Sequence, residues 1–349
     1  MKLRGLWPML GACVLLGGCG AAKPHADPVR MQQLKQRALE CLRRGIRYEF
    51  LPAVRVQAIE SLQDEAPESG LPWIRHALND EHPAVRFAAC MALGTLRDDL
   101  SRGHLTRLLE DPDDSVRAAA IFALHRLGDA RHTAQLAAFL KDHDDMAVRR
   151  NAALILGRLG EKGAIPLLAG VVESPDDGLH AQALESLALL GNEQAMQQLT
   201  FAASSGDGPQ EVLALNALAM TRDPRFEKTF RYKLEHGDFT ETRLAAARGL
   251  GELGSDGGLK EAMEGVAFAS PQKSLEIDPE ENQIMRMRVM AAVALAAIGD
   301  PAALPALTER LEDNSDPRVQ VAAAKAILRI IRRRERQSMP FRRQESERR

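Results

Sequence analysis

The sequence predicts an all-α protein, an α-solenoid or superhelix of about nine helical hairpins, and three observations carry that expectation. The first is a period. The pattern Val-Arg-x-x-Ala-x-x-x-Leu occurs at Val85 to Leu93, Val116 to Leu124 and Val148 to Leu156, with weaker copies starting at Val54, Leu179, Gln210, Thr242, Met287 and Val319. The spacings are 31, 31, 32, 31, 31, 32, 45 and 32 residues, and a near-constant register of this length marks a repeat array. The second is composition: 53 Ala against 14 aromatic residues in 349 favours helices, which small residues let approach closely, over strands. The third is punctuation. Gly128, Gly160, Gly191, Gly254 and Gly299 each stand twelve residues after the start of a copy, where a left-handed glycine closes a helix.

The elements follow in chain order. Residues 1–18 open with Lys2 and Arg4, followed by an apolar run from Leu6 to Leu16. Those eleven residues rise about 16 Å as a helix, too short for a hydrocarbon core of about 30 Å. The segment therefore reads as a signal peptide. Residues 19–27 are a short linker. Asp27-Pro28 caps a first helix to about Ile46, with Met31, Leu34, Ala38, Cys41 and Leu42 inward. Paired helices then run to residue 331, and each patterned helix follows an acidic turn such as Asp111-Pro112-Asp113-Asp114. The 45-residue spacing places an acidic loop, 269–278, in the eighth hairpin, after which Asp278-Pro279-Glu280-Glu281 restarts a helix. Residues 332–349, with eight Arg and three Glu, read as a disordered tail. One elongated domain is expected, a curved rod of about 80–90 Å if helix layers stack 8–10 Å apart.

Gly-Asp-Pro-x-Ala-x-Pro-x-Leu at Gly299 to Leu307, an Asp-rich turn and then the Val-Arg pattern resemble the HEAT family, particularly the short bacterial HEAT-like repeats also found in phycobilisome lyases. The resemblance covers about residues 28–331 and implies a binding scaffold more often than an enzyme. His180, Glu211 and Gln320 depart from it by replacing the patterned Arg. Leu16-Gly17-Gly18-Cys19 resembles the lipobox of bacterial lipoproteins. That resemblance implies cleavage before Cys19, lipid attachment to it, and a lipid-anchored place in the cell envelope, on the periplasmic side; Gly20 favours the outer membrane if there is one.

Motifs for chemistry are weak. Gly249-x-Gly251-x-x-Gly254 matches a dinucleotide fingerprint in letters, but the glycines close a helix and do not open one. Ser270-x-x-Lys273 lies in a loop without the companion motifs of an acyl-enzyme. The nine His are scattered and form no His-Glu-x-x-His. Cys41 and Cys90 offer no metal-ligand spacing. No catalytic residue, metal or cofactor is assigned, and the chain reads as a non-catalytic scaffold and a monomer by default, with a phycobilin-lyase-like enzyme or a tethered chaperone or adaptor for a basic envelope protein as alternatives.

Partner candidates fall in two sets. The acidic turns, with Asp113, Asp114, Asp144, Asp145, Asp176 and Asp177, recur in phase and would form a ridge for a basic protein, or else serve as helix caps. Phe87, Met91, Phe122 and Leu154 share a helix face that would offer a partner helix an apolar patch, or else pack in the core. The column Arg55, Arg86, Arg117, Arg149, Arg243 and Arg288 is read as a structural Asp–Arg ladder between repeats. The net charge of −2 argues against nucleic acid. Removing Lys2 and Arg4 with the leader, and the tail with its net +5, leaves an ordered body near −9.

Overall fold

The computed structural model describes residues 27–205, 208–270 and 278–338. Within them the chain is helical with no strand. Nine outer helices alternate with nine patterned inner ones among the described residues. The outer set is α1 (Pro28–Gly45), α3 (Pro67–His76), α5 (Arg102–Arg107), α7 (Gln135–Asp142), α9 (Ile165–Ala169), α11 (Glu193–Ala202), α13 (Glu227–His236), α15 (Leu259–Val266) and α17 (Leu304–Glu312). The inner set is α2 (Pro52–Glu65), α4 (Pro83–Leu96), α6 (Asp114–Arg126), α8 (Met146–Leu159), α10 (Asp177–Leu189), α12 (Gly208–Thr221), α14 (Thr240–Glu252), α16 (Glu280–Ile298) and α18 (Pro317–Ser338).

Why each inner helix stops is visible in its backbone. Gly128, Gly160, Gly191, Gly254 and Gly299 all have positive φ, between 75° and 92°. In two hairpins the same position is held by Arg97 and Arg222, both at φ 53°. Starts are set by side-chain caps: Asp113, Asp145 and Asp176 accept from backbone N–H groups of α6, α8 and α10.

The array is a closed ring, not the open rod that the repeat count predicts. Consecutive inner helices pack in order from α2 to α18, and α18 then packs on α2 and on α1. One apolar cluster joins residues of α1 to α6 with residues of α14 to α18. Alanines fully buried between inner helices, among them Ala89, Ala120, Ala153 and Ala246, narrow the hairpins on that side. Nine such wedges turning about 40° each complete a circle.

The seam also corrects the reading of residues 332–349 as wholly disordered. Helix α18 continues to Ser338. Lys35 donates to Glu335 at 2.9 Å, Arg332 pairs with Glu65 at 3.4 Å and with the carbonyl of Asp64, and Arg37 pairs with Glu312. Arg333 donates to the carbonyl of Ile298 at 2.8 Å, at the end of α16. An Arg-rich sequence without apolar period remains helical because its guanidiniums meet carboxylates and helix-end carbonyls of other hairpins. The leader with Cys19, and residues 271–277 of the acidic loop with Lys273, lie outside the described residues. At the end of that loop Pro279 takes the N-cap position of α16, and Asp278 instead binds Arg286 at 2.9 and 3.1 Å.

Candidate functional site

Closing the ring converts its concave face into a lumen of about 810 Å³, lined from α2, α4, α6, α8, α10, α12, α14, α16 and α18. The positions that reach it recur with the repeat. Five residues after the patterned Arg, or the residue that replaces it, six of the nine hairpins place a residue on the wall: Glu60, Met91, Leu154, Arg248, Val293 and Lys325. Four further on in the column stand Asp64, Thr95, Arg158, Leu189, Met220, Glu252 and Arg329.

Of the apolar partner candidates, Phe87, Met91 and Leu154 line this lumen. Phe122 does not: it is 2% exposed and lies against Gly94, where an added Cβ would come within 2.9 Å of its ring. Helix α4 has no side chain there, so the ring tucks between α4 and α6. The lumen's volume of about 810 Å³ is on the scale of a small-molecule site, about 300–1,000 Å³.

The opposite sector is charged. Glu252 accepts from Arg222 at 3.0 Å and Arg329 at 2.8 Å. Burial would raise its carboxyl, but Arg329 and then Arg222 outweigh this and hold it below its ordinary range. Lys325 binds Asp64 at 2.7 Å. Glu60 touches water but is walled in by protein, and the resulting poor solvation raises its carboxyl.

The acidic turns are divided. Asp113, Asp145 and Asp176 are the caps named above, and Asp114 binds Arg117 and His143. Asp144 and Asp177 are exposed and, of the six, are the two that carry no ion pair or hydrogen bond. Three of the six carboxylates thus serve as helix caps, while Asp144, Asp145 and Asp177 remain exposed.

The Arg column divides too. Arg55, Arg86 and Arg288 reach Asp80, Asp111 and Asp313 in the next hairpin, at 2.8, 2.8 and 3.3 Å. Arg117, Arg149 and Arg243 do not form such rungs. They donate instead to the carbonyls of Asp111, Leu140 and Gly237. This is the shared contact of the column: Arg55, Arg86 and Arg288 also bind carbonyls that follow the preceding outer helix, and so do His180 and Gln320. The long side chain supplies donors to orphan helix-end carbonyls. In the fourth hairpin the rung is reversed. His143 occupies the extended position after α7 that Asp111 occupies in the hairpin before, and it meets Asp114 at 3.0 Å.

Glu211, which cannot cap a carbonyl, makes the second reversal. It is 2% exposed and pairs with buried Lys233 of α13, while Thr242 donates to it at 3.2 Å. Ser204 and Ser205 take carbonyls of α11 in its stead. Sequence reading missed this pair because Lys233 belongs to no repeated column.

Other motifs are structural. An added Cβ at Gly251 would come within 2.6 Å of the backbone of Ile298, so this glycine serves close packing of α14 on α16. Cys41 and Cys90 are buried free thiols. Burial pushes Cys41 up to about 11 and raises Cys90 further, which makes both poor nucleophiles. No group of three His, Cys, Asp or Glu placed to hold a metal occurs among the described residues.

No relative was found among curated proteins. Solved structures similar to the chain include the complex of CpcE and CpcF of phycocyanin lyase from Nostoc, at 19% identity over 74% of this chain and 93% of that one, with a TM-score of 0.41. Human deoxyhypusine hydroxylase is similar at 16% identity over 88% and 100%, with a TM-score of 0.37. The family profile described as HEAT repeats matches residues 39–125, 103–188, 133–212 and 280–330. These matches cover more than half of the sequence and coincide with the hairpins of the ring, and the chain belongs to the HEAT-repeat family.

Proposed function

We propose that this HEAT-repeat protein is a lipid-anchored component of a bacterial cell envelope that works by binding a protein partner, not by catalysis. The observation that carries the reading is the leader ending in Leu16-Gly17-Gly18-Cys19, close before the start of α1 at Pro28. A lipid on Cys19 would hold the ring against the membrane, since the seven residues from Gly20 to Ala26 span at most about 25 Å. No helix of the described residues is long and apolar enough to cross a membrane, so attachment would rest on that lipid and on charge.

A protein partner would meet exposed aromatic side chains on the outside of the ring. Phe201, Tyr232 and Phe239 are exposed by 76%, 59% and 49% and belong to α11, α13 and the turn before α14. Aromatic side chains so exposed are typical anchors of an interface. The anchoring half is tested by palmitate labelling in a bacterial host, expected to disappear in Cys19→Ser; retained label refutes it. The binding half is tested by crosslinking in intact cells. A partner that crosslinks to the wild type should be lost in Phe201→Ser/Tyr232→Ser, and unchanged crosslinking places the interface elsewhere.

A further inference from the structure

The lumen holds more than a by-product of closure. Its volume of about 810 Å³ is within the range of small-molecule sites, about 300–1,000 Å³, and its wall has two chemically distinct sectors. Val56, Phe87, Met91 and Leu154 supply hydrocarbon from α2, α4 and α8. The other sector is cationic and anionic, and most of its cations are already matched: Arg222 and Arg329 by Glu252, Lys325 by Asp64.

Two cations are not. Arg158 lines the lumen without an ion pair or hydrogen bond to any described residue. Arg248 donates one hydrogen bond, 2.9 Å to the amide oxygen of Asn216, and has no carboxylate in contact. Poor solvation lowers its guanidinium, and the charges of Arg329 and Arg158 work in the same direction against those of Glu252 and Glu185. Arg158 and Arg248 line the same lumen. Two such guanidiniums, neither in an ion pair with a carboxylate and balanced only through space by charges such as those of Glu252 and Glu185 on Arg248, are an arrangement that an external anion relieves. Glu60, on the same wall, makes no hydrogen bond or ion pair to a described residue; desolvation raises its carboxyl, and in its ionised form it opposes an incoming anion.

We infer that the lumen binds an amphipathic organic anion, a single-chain alkyl carboxylate, with its head between Arg158 and Arg248 and its chain along Phe87, Met91 and Leu154. The carboxylate accepts forked hydrogen bonds that water otherwise supplies, and the chain covers apolar wall that the closed ring leaves exposed. This site is independent of the membrane anchor, and the two readings fail by different measurements.

The test is calorimetric titration of the full chain carrying Cys19→Ser with dodecanoate below its micelle concentration. Saturable one-to-one binding is expected, with binding of dodecyltrimethylammonium, the same chain with a cationic head, at least tenfold weaker. Arg158→Met and Arg248→Met should each weaken dodecanoate at least tenfold. Neither removes an ion pair, so both should keep the wild-type circular dichroism and thermal midpoint. Glu60→Gln should bind as tightly or more tightly, and Arg131→Met, on the exposed pair with Asp129, should leave affinity unchanged. Absence of saturable binding, equal binding of the cationic chain, or full affinity in the folded Arg158→Met/Arg248→Met double variant overturns the proposal.

Discussion

Two junctions between neighbouring hairpins perform one task with opposite charges. Between the second and third hairpins Arg86 of α4 holds Asp111 through two hydrogen bonds at 2.8 and 2.9 Å, with side chains 13% and 4% exposed. Between the sixth and seventh, the inner helix carries the acid, Glu211, and the outer helix the base, Lys233, at 3% and 8%. The first guanidinium has a second duty, donating to the carbonyls of Asp80 and Glu81. In the second pair Thr242 also donates to the carboxylate, at 3.2 Å. A repeat therefore fixes where a charged contact sits and not its polarity.

The largest effect is expected at the inverted pair, whose side chains are only 8% and 3% exposed. Lys233→Met leaves Glu211 buried without its cation and should cost about 3–5 kcal/mol, read as a fall in the urea midpoint. Lys233→Met with Glu211→Leu should recover most of the loss, because the uncompensated charge is gone. No recovery would show that the pair holds more than itself together.

The seam comes next, since it joins hairpins that no short loop connects. A Cβ at Gly45 would stand 2.9 Å from Val321 and 3.1 Å from Ala58. Gly45→Leu should therefore cost about 1–3 kcal/mol by overpacking and enlarge the radius of gyration measured by X-ray scattering. An unchanged radius would mean that closure does not rest on this contact.

Asp111→Asn keeps the shape of the Arg rung and removes its charge. A loss of about 1–2 kcal/mol is expected, smaller than at Lys233, because Arg86 retains its carbonyl partners. Asp98 offers a pH version of the same test. Hydrogen bonds from Arg75 and Ser101 hold its carboxyl below the ordinary value, against its burial. A depressed folded-state value means that the stabilisation is present above the ordinary carboxylate range and disappears as pH falls through the folded value. Acid unfolding followed from pH 5 downward should be less steep in Asp98→Asn; an identical profile removes Asp98 from the account.

The smallest effect concerns the two left-handed arginines. Arg97 has no ion pair to hold it at φ 53°, so Arg97→Gly should stabilise by about 0.5–1 kcal/mol. Arg222, at the same angle, also binds Glu252 at 2.9 Å. Its replacement by Gly should gain less, or lose, by the same thermal measurement.

Much of this architecture was legible before any coordinates. Positions that must be small, apolar or left-handed repeat because each hairpin meets the same neighbours, so the glycine closures, the Ala-rich inner helices and the Asp caps could be read from Val54 to Val319. The lumen was legible only as a column. Met91, Leu154 and Arg248 could be assigned to one helix face, but whether that face was an open groove or an enclosed wall depends on the sum of nine small rotations. Phe122 was misplaced for a related reason: its helix position is that of Met91, and only the missing side chain at Gly94 turns it inward.

The sequence by itself determined the helical pair, its period and its caps, because these depend on contacts within one or two repeats. The tertiary structure alone decided that the last hairpin meets the first, that Lys233 finds Glu211, that Arg332 and Arg333 belong to a helix, and that Arg158 and Arg248 share a space. Those contacts join residues far apart in the chain, and the closure that brings them together accumulates over the whole array and is written in no single repeat.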